Sequence, residues 1–136
     1  MLALLALFAS ACERDDVRFE KRAELPLGNL DVPNTSMLEL GPAAPLTLSG
    51  WAVSEDGIAE VNAYVDRRLV RSSGALLQRP DVASAFPAIP GSGRSGFQII
   101  LEPAEIGPGP HEIVLQVRTN RNAVRELGRL TVVAHP

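Results

Sequence analysis

The amino-acid sequence predicts an all-β domain, a sandwich of about seven short antiparallel strands. Apolar and polar residues alternate in several stretches of the chain, and this period of two is typical of strands with one buried face. The 136 residues include 11 glycines and 11 prolines, which interrupt the chain at short intervals. Those intervals leave no room for a long amphipathic helix. Short strands joined by turns therefore account best for the pattern.

The first group of strands ends in a predicted hairpin. Val61, Ala63 and Val65 fall on one face of a strand, and the polar residues between them fall on the other. The sequence SEDG (residues 54–57) precedes this strand and supplies a turn in which glycine adopts a positive φ at little cost. After the strand, DRR (residues 66–68) predicts a hairpin turn into the next one.

The second group of strands follows residue 96. Phe97, Ile99 and Leu101 lie at every second position, which predicts one strand. A last strand is predicted over residues 124–134, after a turn at NRNA. In HEIVLQVRT (residues 111–119), four residues share one face: His111, Ile113, Leu115 and Val117. Because its neighbours on that face are apolar, we expect the His111 ring to be mostly buried and hydrogen-bonded to nearby backbone.

A long loop, QRPDVASAFPAIPGSGRSGF (residues 78–97), connects the two groups. Its helical signal is RPDVASAF, where Pro80 fits the first turn of a helix. Two further prolines restrict the backbone, and three apolar residues would be costly to leave in water: Val82, Phe86 and Ile89. The composition therefore predicts one crossover loop that contains a short helical turn and packs over one end of the sandwich.

The same loop is the candidate binding site. Long loops in compact domains commonly carry function. If this loop binds a ligand, Arg79, Asp81 and Arg94 would supply polar contacts and Phe86 an apolar one. The sequence leaves both roles open, a cap on the core and a binding loop.

The first 27 residues have a different character. MLALLALFASAC begins with an apolar run that is too short to span a bilayer as a helix. It resembles a bacterial lipoprotein signal, which implies cleavage after residue 11 and lipidation of Cys12. ASAC matches the small-small-Cys part of such a signal, although Ala9 stands where leucine is preferred and no basic residue precedes the apolar run. We expect a signal peptide (residues 1–11), a charged tether (residues 12–27) and a β-sandwich domain (residues 28–136).

The order of segments in the domain resembles a bacterial immunoglobulin-like (Ig-like) module of secreted and surface proteins. The most specific part is Arg79 to Val82, then Phe86-Pro87, then Ser95 to Phe97; the pair Gly109 and His111 is weaker evidence. The sequence departs from the pattern at Arg67-Arg68, where such modules commonly place a glycine. The resemblance implies an Ig-like sandwich used as a spacer or binding domain, with no catalytic residues.

The residues do not favour catalysis, metal binding or a cofactor. The two histidines, His111 and His135, have no nucleophile–base pattern around them. Acidic residues near turns, such as Asp56 and Glu60, do not form a calcium-loop motif. The glycines around Arg94 lack the lysine and the following helix of a phosphate loop. A net charge of −3 argues against nucleic acid as a partner.

The sequence therefore predicts a non-catalytic protein that is lipid-anchored to a membrane of the cell envelope, on its periplasmic or extracellular face. The Ig-like domain would serve protein–protein interaction or structural spacing, with an envelope protein or a glycan as partner. The alternative is a carbohydrate-binding accessory lipoprotein, which requires Trp51 or Tyr64 to lie exposed beside a groove. We expect Trp51 instead to pack between the sheets.

Overall fold

The structure is a computed structural model that describes residues 24–136, and these residues form two β-sheets. The strands are β1 (Leu27–Val32), β2 (Met37–Leu40), β3 (Leu46–Val53), β4 (Ile58–Val65), β5 (Arg68–Ser73), β6 (Gly96–Leu101), β7 (Gly109–Thr119) and β8 (Val124–Ala134). One sheet has the order β1–β3–β6 and the other β2–β8–β7–β4–β5. The predicted all-β sandwich is confirmed, with eight described strands where about seven were expected.

One strand pair departs from the predicted antiparallel arrangement. β2 runs parallel to β8, with Met37 opposite Thr131 and Leu40 opposite Ala134. Only residues 33–36 separate β1 from β2, so the chain passes from the edge of one sheet to the edge of the other without a hairpin. The prediction of an entirely antiparallel sandwich is wrong at this edge, because hydrophobic alternation does not specify which strand becomes the neighbour.

The core lies between the two sheets and consists of the residues that alternation predicted. Val61, Ala63 and Val65 on β4 are buried, as are the inward residues of β6 and β7. The largest fully buried side chains include Phe97, Leu48, Leu101, Ile113 and Leu115. This packing holds the two sheets together.

Two short α-helices and a 3₁₀ turn connect the strands. Helix α1 (Pro80–Ala85) lies in the long loop and confirms the predicted helical turn, with Pro80 at its start. The 3₁₀ turn Ser92–Arg94 follows it. Helix α2 (Pro103–Ile106), which was not predicted, begins with a capping box between Glu102 and Glu105. Within residues 24–136, no helix has the length and apolar character needed to cross a membrane.

The predicted hairpin joins β4 to β5 by a two-residue turn. Asp66 and Arg67 have φ angles of 48° and 69°. Both values lie in the left-handed region, as in the type I′ turns that suit the twist of a hairpin. The turn therefore forms without the glycine that usually occupies such positions, and its strain must be held by surrounding contacts.

The N-terminal predictions lie outside the described residues, except at the end of the tether. The signal peptide, the lipid-accepting Cys12 and residues 13–23 belong to the part that the structure does not describe. β1 begins at Leu27, the last residue of the predicted tether. The Arg125 side chain donates a hydrogen bond to the Pro26 carbonyl oxygen at 3.2 Å. The last residues of the predicted tether therefore already contact the sandwich.

Candidate functional site

Two of the four candidate binding residues of the long loop, Arg79 and Asp81, belong to an ion-pair cluster. Arg79 donates hydrogen bonds to Asp81 at 2.9 and 2.8 Å and to Asp31 on β1 at 3.0 Å. The hydrogen bonds from Arg79 lower the pKa of Asp81 to about 2. Because Arg79 links the start of α1 to the edge strand β1, this cluster fastens the loop to the three-stranded sheet.

The third loop residue, Phe86, packs on Trp51. The ring centroids lie 5.4 Å apart, with the planes tilted by 40°. Phe86 is half-buried, and Trp51 lies on the outer face of the three-stranded sheet, opposite Asn29 on β1 and Gly96 on β6. The helical part of the loop therefore covers the outside of a sheet, and the predicted position over the sandwich end is wrong for it.

The expected position of Trp51 between the sheets is also wrong. On β3 the inward positions belong to Gly50 and Ala52, which are buried. A Cβ atom at Gly50 would lie 2.0 Å from the Asn29 carbonyl oxygen and 2.9 Å from the Phe97 ring. The sheets thus leave no room for a large side chain at this level, and Trp51 points outward.

The fourth loop residue, Arg94, is separate from the other three. It is exposed and lines a cavity at the sandwich end together with Ser54, Gly57 and Asn120. Within residues 24–136, its side chain has no hydrogen bond or ion pair. The structure thus divides the candidate binding loop into Arg79, Asp81 and Phe86, which fasten the loop, and Arg94, which is available. Ligand binding by the loop stays a prediction.

His111 is mostly buried, as predicted, with 19% of its side chain exposed. Its Nδ1 lies 2.5 Å from an Asp66 carboxylate oxygen, and its Nε2 lies 2.9 Å from the Pro108 carbonyl oxygen. The Asp66 hydrogen bond raises the pKa of His111, and the same bond lowers the pKa of Asp66. Both ring nitrogens face acceptors, so the protonated imidazolium satisfies both contacts.

The His111–Asp66 pair supports the strained hairpin turn. Asp66 has a positive φ, and its carboxylate also accepts a hydrogen bond from the backbone N–H of Glu112 at 3.0 Å. These contacts tie the turn to β7. A histidine that acts as a general base needs a free ring nitrogen directed at a nucleophile. His111 is instead engaged on both nitrogens in holding the turn.

A second surface lies on the outer face of the five-stranded sheet. Tyr64 on β4 stands at its centre, opposite Leu69 on β5 and Val114 on β7, and Val114 lies opposite Arg129 on β8. A shallow hollow of about 290 Å³ opens here. We name it the Tyr64 surface, lined by Tyr64, Arg67, Glu112, Val114, Gln116, Glu126 and Arg129.

The charges of the Tyr64 surface are partly paired. Arg129 forms ion pairs with Glu112 at 2.9 Å and with Glu126 at 2.6 Å. Hydrogen bonds to Glu126 and Glu112 raise the pKa of Arg129. Arg67, in contrast, has no hydrogen bond or ion pair within residues 24–136. The hollow therefore contains the half-buried ring of Tyr64, the ion pairs of Arg129 along one side, and the side chain of Arg67 as a cation available to a ligand.

Sequence reasoning missed most of this surface. Tyr64 was identified as a candidate aromatic platform, but Glu112, Gln116, Glu126 and Arg129 were not singled out. Alternation along β7 does place Glu112 and Gln116 on the face of the strand that points away from the core. Their meeting with Arg129 and Tyr64 depends on the register of three strands, which the sequence alone does not give.

The described residues hold no group of three or more His, Cys, Asp or Glu side chains that could bind a metal ion. Several carboxylates near turns have cationic partners instead. Glu60 accepts a hydrogen bond from Arg118 at 3.1 Å, and Asp81 binds Arg79.

No protein-family model matches the chain, and no curated protein matches it in sequence. Solved structures nevertheless share its fold. The fibronectin(III)-like modules of Clostridium thermocellum CbhA align with 85% of this chain at 15% identity, with a TM-score of 0.56. An endo-β-1,4-mannanase from Thermotoga petrophila aligns with 84% of it at 8% identity, with a TM-score of 0.51.

In both matched structures, the region that aligns with this protein is only part of a longer chain. The aligned region covers 49% of the CbhA chain and 20% of the mannanase chain, so this chain spans about half the length of the former. At such identities the similarity establishes the fold alone. The fold is an all-β Ig-like sandwich, as the sequence predicted.

Proposed function

We propose that the protein is a non-catalytic binding domain, anchored to the cell envelope by a lipid on Cys12, which contacts a partner protein through the Tyr64 surface. The observation that carries this proposal is the aromatic ring of Tyr64, half-buried in a hollow on an outward sheet face. Tyrosine and arginine dominate the energetic centres of protein interfaces. Here Tyr64 is flanked by Arg67 and Arg129.

The surroundings of Tyr64 favour a protein partner. Leu69, directly opposite Tyr64 on β5, is 52% exposed and extends the apolar centre. Val114 continues it on the other side. The charged residues Glu112, Glu126 and Arg129 lie around this centre and form a polar rim. An apolar centre with a polar rim is the usual anatomy of a protein interface.

The non-catalytic part of the proposal is supported by the engagement of His111. Both of its ring nitrogens lie within hydrogen-bond distance of acceptors, Asp66 and the Pro108 carbonyl. The anchoring part is supported by the lipoprotein-like ASAC segment and the charged residues that follow it. Stable lipid anchoring generally takes more than one acyl chain, which lipoprotein maturation would supply.

Site-specific crosslinking tests the proposal. A photoreactive amino acid is placed at Leu69, beside the Tyr64 surface, and the intact lipoprotein is irradiated in its own envelope. We expect defined crosslinked partners from position 69 and none from position 98, an exposed residue on the opposite sheet. Tyr64→Ala in the same background should reduce the crosslinked product by roughly 10-fold or more.

Two other outcomes would contradict the proposal in different ways. Crosslinks from position 69 that persist unchanged in Tyr64→Ala would show that this surface is not the binding centre. The absence of crosslinks from several positions of the outer face would favour the other role of such domains, structural spacing. Circular dichroism of the Tyr64→Ala protein serves as the control for folding.

A second candidate is carbohydrate binding, and one observation favours it. Tyr64 lies in a hollow of about 290 Å³ with Gln116 and charged side chains beside it. An aromatic ring next to polar side chains is suited to stacking on a sugar ring and to hydrogen-bonding its hydroxyl groups. Calorimetry with soluble envelope polysaccharide fragments tests this role. Binding that requires Tyr64, without protein crosslinks, would replace the first proposal.

A further inference from the structure

A cavity of about 210 Å³ lies at the sandwich end where β3 turns into β4, away from the Tyr64 surface. Its walls are mainly apolar and come from Ala52, Val53, Ile58, Ala75, Leu76 and Pro90. The second half of the long loop, from Pro90 to Arg94, closes one side. The cavity is thus formed by the sandwich end and the loop together.

The cavity exists because small residues occupy positions where larger ones would fill the core. Ala52 and Ala75 are both buried, at 1% and 7% exposure. A larger side chain at either position would take up part of the space. An apolar cavity of ~150 Å³ is sufficient to hold a benzene ring. This one therefore has room for a ligand body of that size or slightly larger.

Two polar side chains of the cavity have donor groups that no described residue uses. Ser54 is 6% exposed, and its hydroxyl oxygen accepts a hydrogen bond from the Asp56 backbone N–H at 3.1 Å. That hydroxyl donates to no residue within 24–136. Arg94, which lines the same cavity, likewise has no partner there. A buried hydroxyl with an unused donor is costly unless a ligand or water accepts from it.

The other polar residues at this end are already engaged. Asn120 donates a hydrogen bond to the Asp56 carbonyl oxygen at 3.1 Å. The Asp56 carboxylate accepts from the Glu24 backbone N–H at 3.3 Å and lies 4.0 Å from Arg121. Arg94 is therefore the cation that remains available to a ligand in this cavity.

We propose that this cavity binds a carboxylate attached to a small apolar body of about six carbons. The body would fill the apolar space, and the carboxylate would accept hydrogen bonds from Arg94 and Ser54. Arginine forms charge-assisted, often bidentate hydrogen bonds with carboxylates. The same chemistry is found in a free aliphatic acid and in the carboxy-terminal residue of a peptide.

Amide chemical-shift titration with two carboxylate probes tests the proposal and distinguishes these sources. Hexanoate represents the free acid, and acetyl-glycyl-leucine represents a peptide terminus; 1-hexanol and the peptide amide are their neutral matches. We expect one carboxylate to bind with a dissociation constant on the order of 1 mM. The shifts should centre on Ser54, Ala75 and Arg94, and the neutral match should bind at least about 10-fold more weakly.

Variants decide whether the named residues hold the carboxylate. Arg94→Gln and Ser54→Ala should each weaken binding, Arg94→Gln by about 10-fold or more. Arg68→Gln, which removes the same charge at the opposite end of β4, should leave it unchanged. The proposal is overturned if neither carboxylate shifts the cavity residues, or if Arg94→Gln binds as well as wild type. Ala75→Leu, if folded, should abolish binding by filling the space.

Discussion

At the scale of single residues, the hairpin turn shows a conflict between local preference and the fold. Arg67 has a φ of 69°. The left-handed conformation costs a non-glycine residue ~1–2 kcal/mol, a cost that glycine avoids. Glycine in turn loses more backbone entropy on folding, which costs ~0.5–1 kcal/mol. A role for the Arg67 side chain on the Tyr64 surface would account for an arginine at this strained position.

Arg67→Gly should therefore make the domain more stable and a weaker binder. We expect a gain of about 0.5–1 kcal/mol, or roughly 2–5 °C in Tm by thermal melting. Crosslinking from position 69 should fall in the same variant. A variant that melts higher and still crosslinks normally would show that Arg67 has no binding role. A lower Tm would show that the arginine side chain stabilises the turn.

The His111–Asp66 pair gives stability a defined pH dependence. The Asp66 hydrogen bond raises the pKa of His111 above its ordinary 6.5. The stabilisation that comes from protonated His111 is therefore fully present below pH 6.5 and is lost as pH rises through the raised pKa. The His111 hydrogen bond lowers the pKa of Asp66 below 3.8, so that contribution is lost only as pH falls through the lowered pKa. The pair is therefore most stabilising between about pH 4 and 6.5.

Melting curves of His111→Gln across pH 5 to 9 test this dependence. The variant should lose ~1 kcal/mol relative to wild type at pH 5.5, about 4 °C in Tm, and less at pH 9. His135→Gln removes the other histidine, which is exposed, and serves as the control. A difference between His111→Gln and wild type that does not change with pH would contradict the assignment of a charged pair.

At the scale of elements, the long loop is held by contacts on the outside of a sheet. Helix α1 is short, and it is positioned by the Phe86–Trp51 contact and the Arg79–Asp31 ion pair. Truncating a fully buried phenylalanine costs ~3–5 kcal/mol. Because Phe86 is only half-buried, Phe86→Ala should cost about 2 kcal/mol, or roughly 8 °C in Tm.

Trp51 provides a direct signal for this contact, since it is the chain's one tryptophan. Phe86→Ala should shift its fluorescence emission to longer wavelength as the indole becomes more exposed. Ser84→Ala, an exposed change in the same helix, should leave both the emission and the Tm near wild type. If Phe86→Ala changes neither, the loop is held without this contact.

The sequence predicted individual elements better than their arrangement. The alternating runs of β4, β6 and β7, the hairpin at Asp66 and the helical turn at Pro80 follow from local chemistry, and each is present. The parallel β2–β8 pair and the outward Trp51 depend on contacts between distant segments, such as the close approach of Gly50 to Asn29. The cavity beside Arg94 depends on the same kind of contact, because its walls come from four separate parts of the chain.

At the scale of the whole molecule, the two proposed binding sites lie on different parts of the sandwich. The Tyr64 surface is on the outer face of the five-stranded sheet, and the Arg94 cavity is at the sandwich end near residue 24. The core between the sheets is composed of residues from Leu40 to Val132. We therefore expect a change at the lipid-accepting Cys12 to alter the location of the protein and not the stability of the domain.

Cys12→Ser tests that separation of anchor and domain. If a lipid on Cys12 anchors the protein, the variant should lose acyl labelling and should not be processed like wild type, because the residue that accepts the lipid is gone. Ser10→Ala, which keeps a small residue in the signal, should be labelled normally. Both proteins, purified as the domain, should melt within about 1 °C of each other, since the core lies elsewhere. If mass spectrometry finds no acyl group on the wild-type protein, the basis for the envelope location is removed. The two proposed binding sites would then be tested on a protein without a lipid.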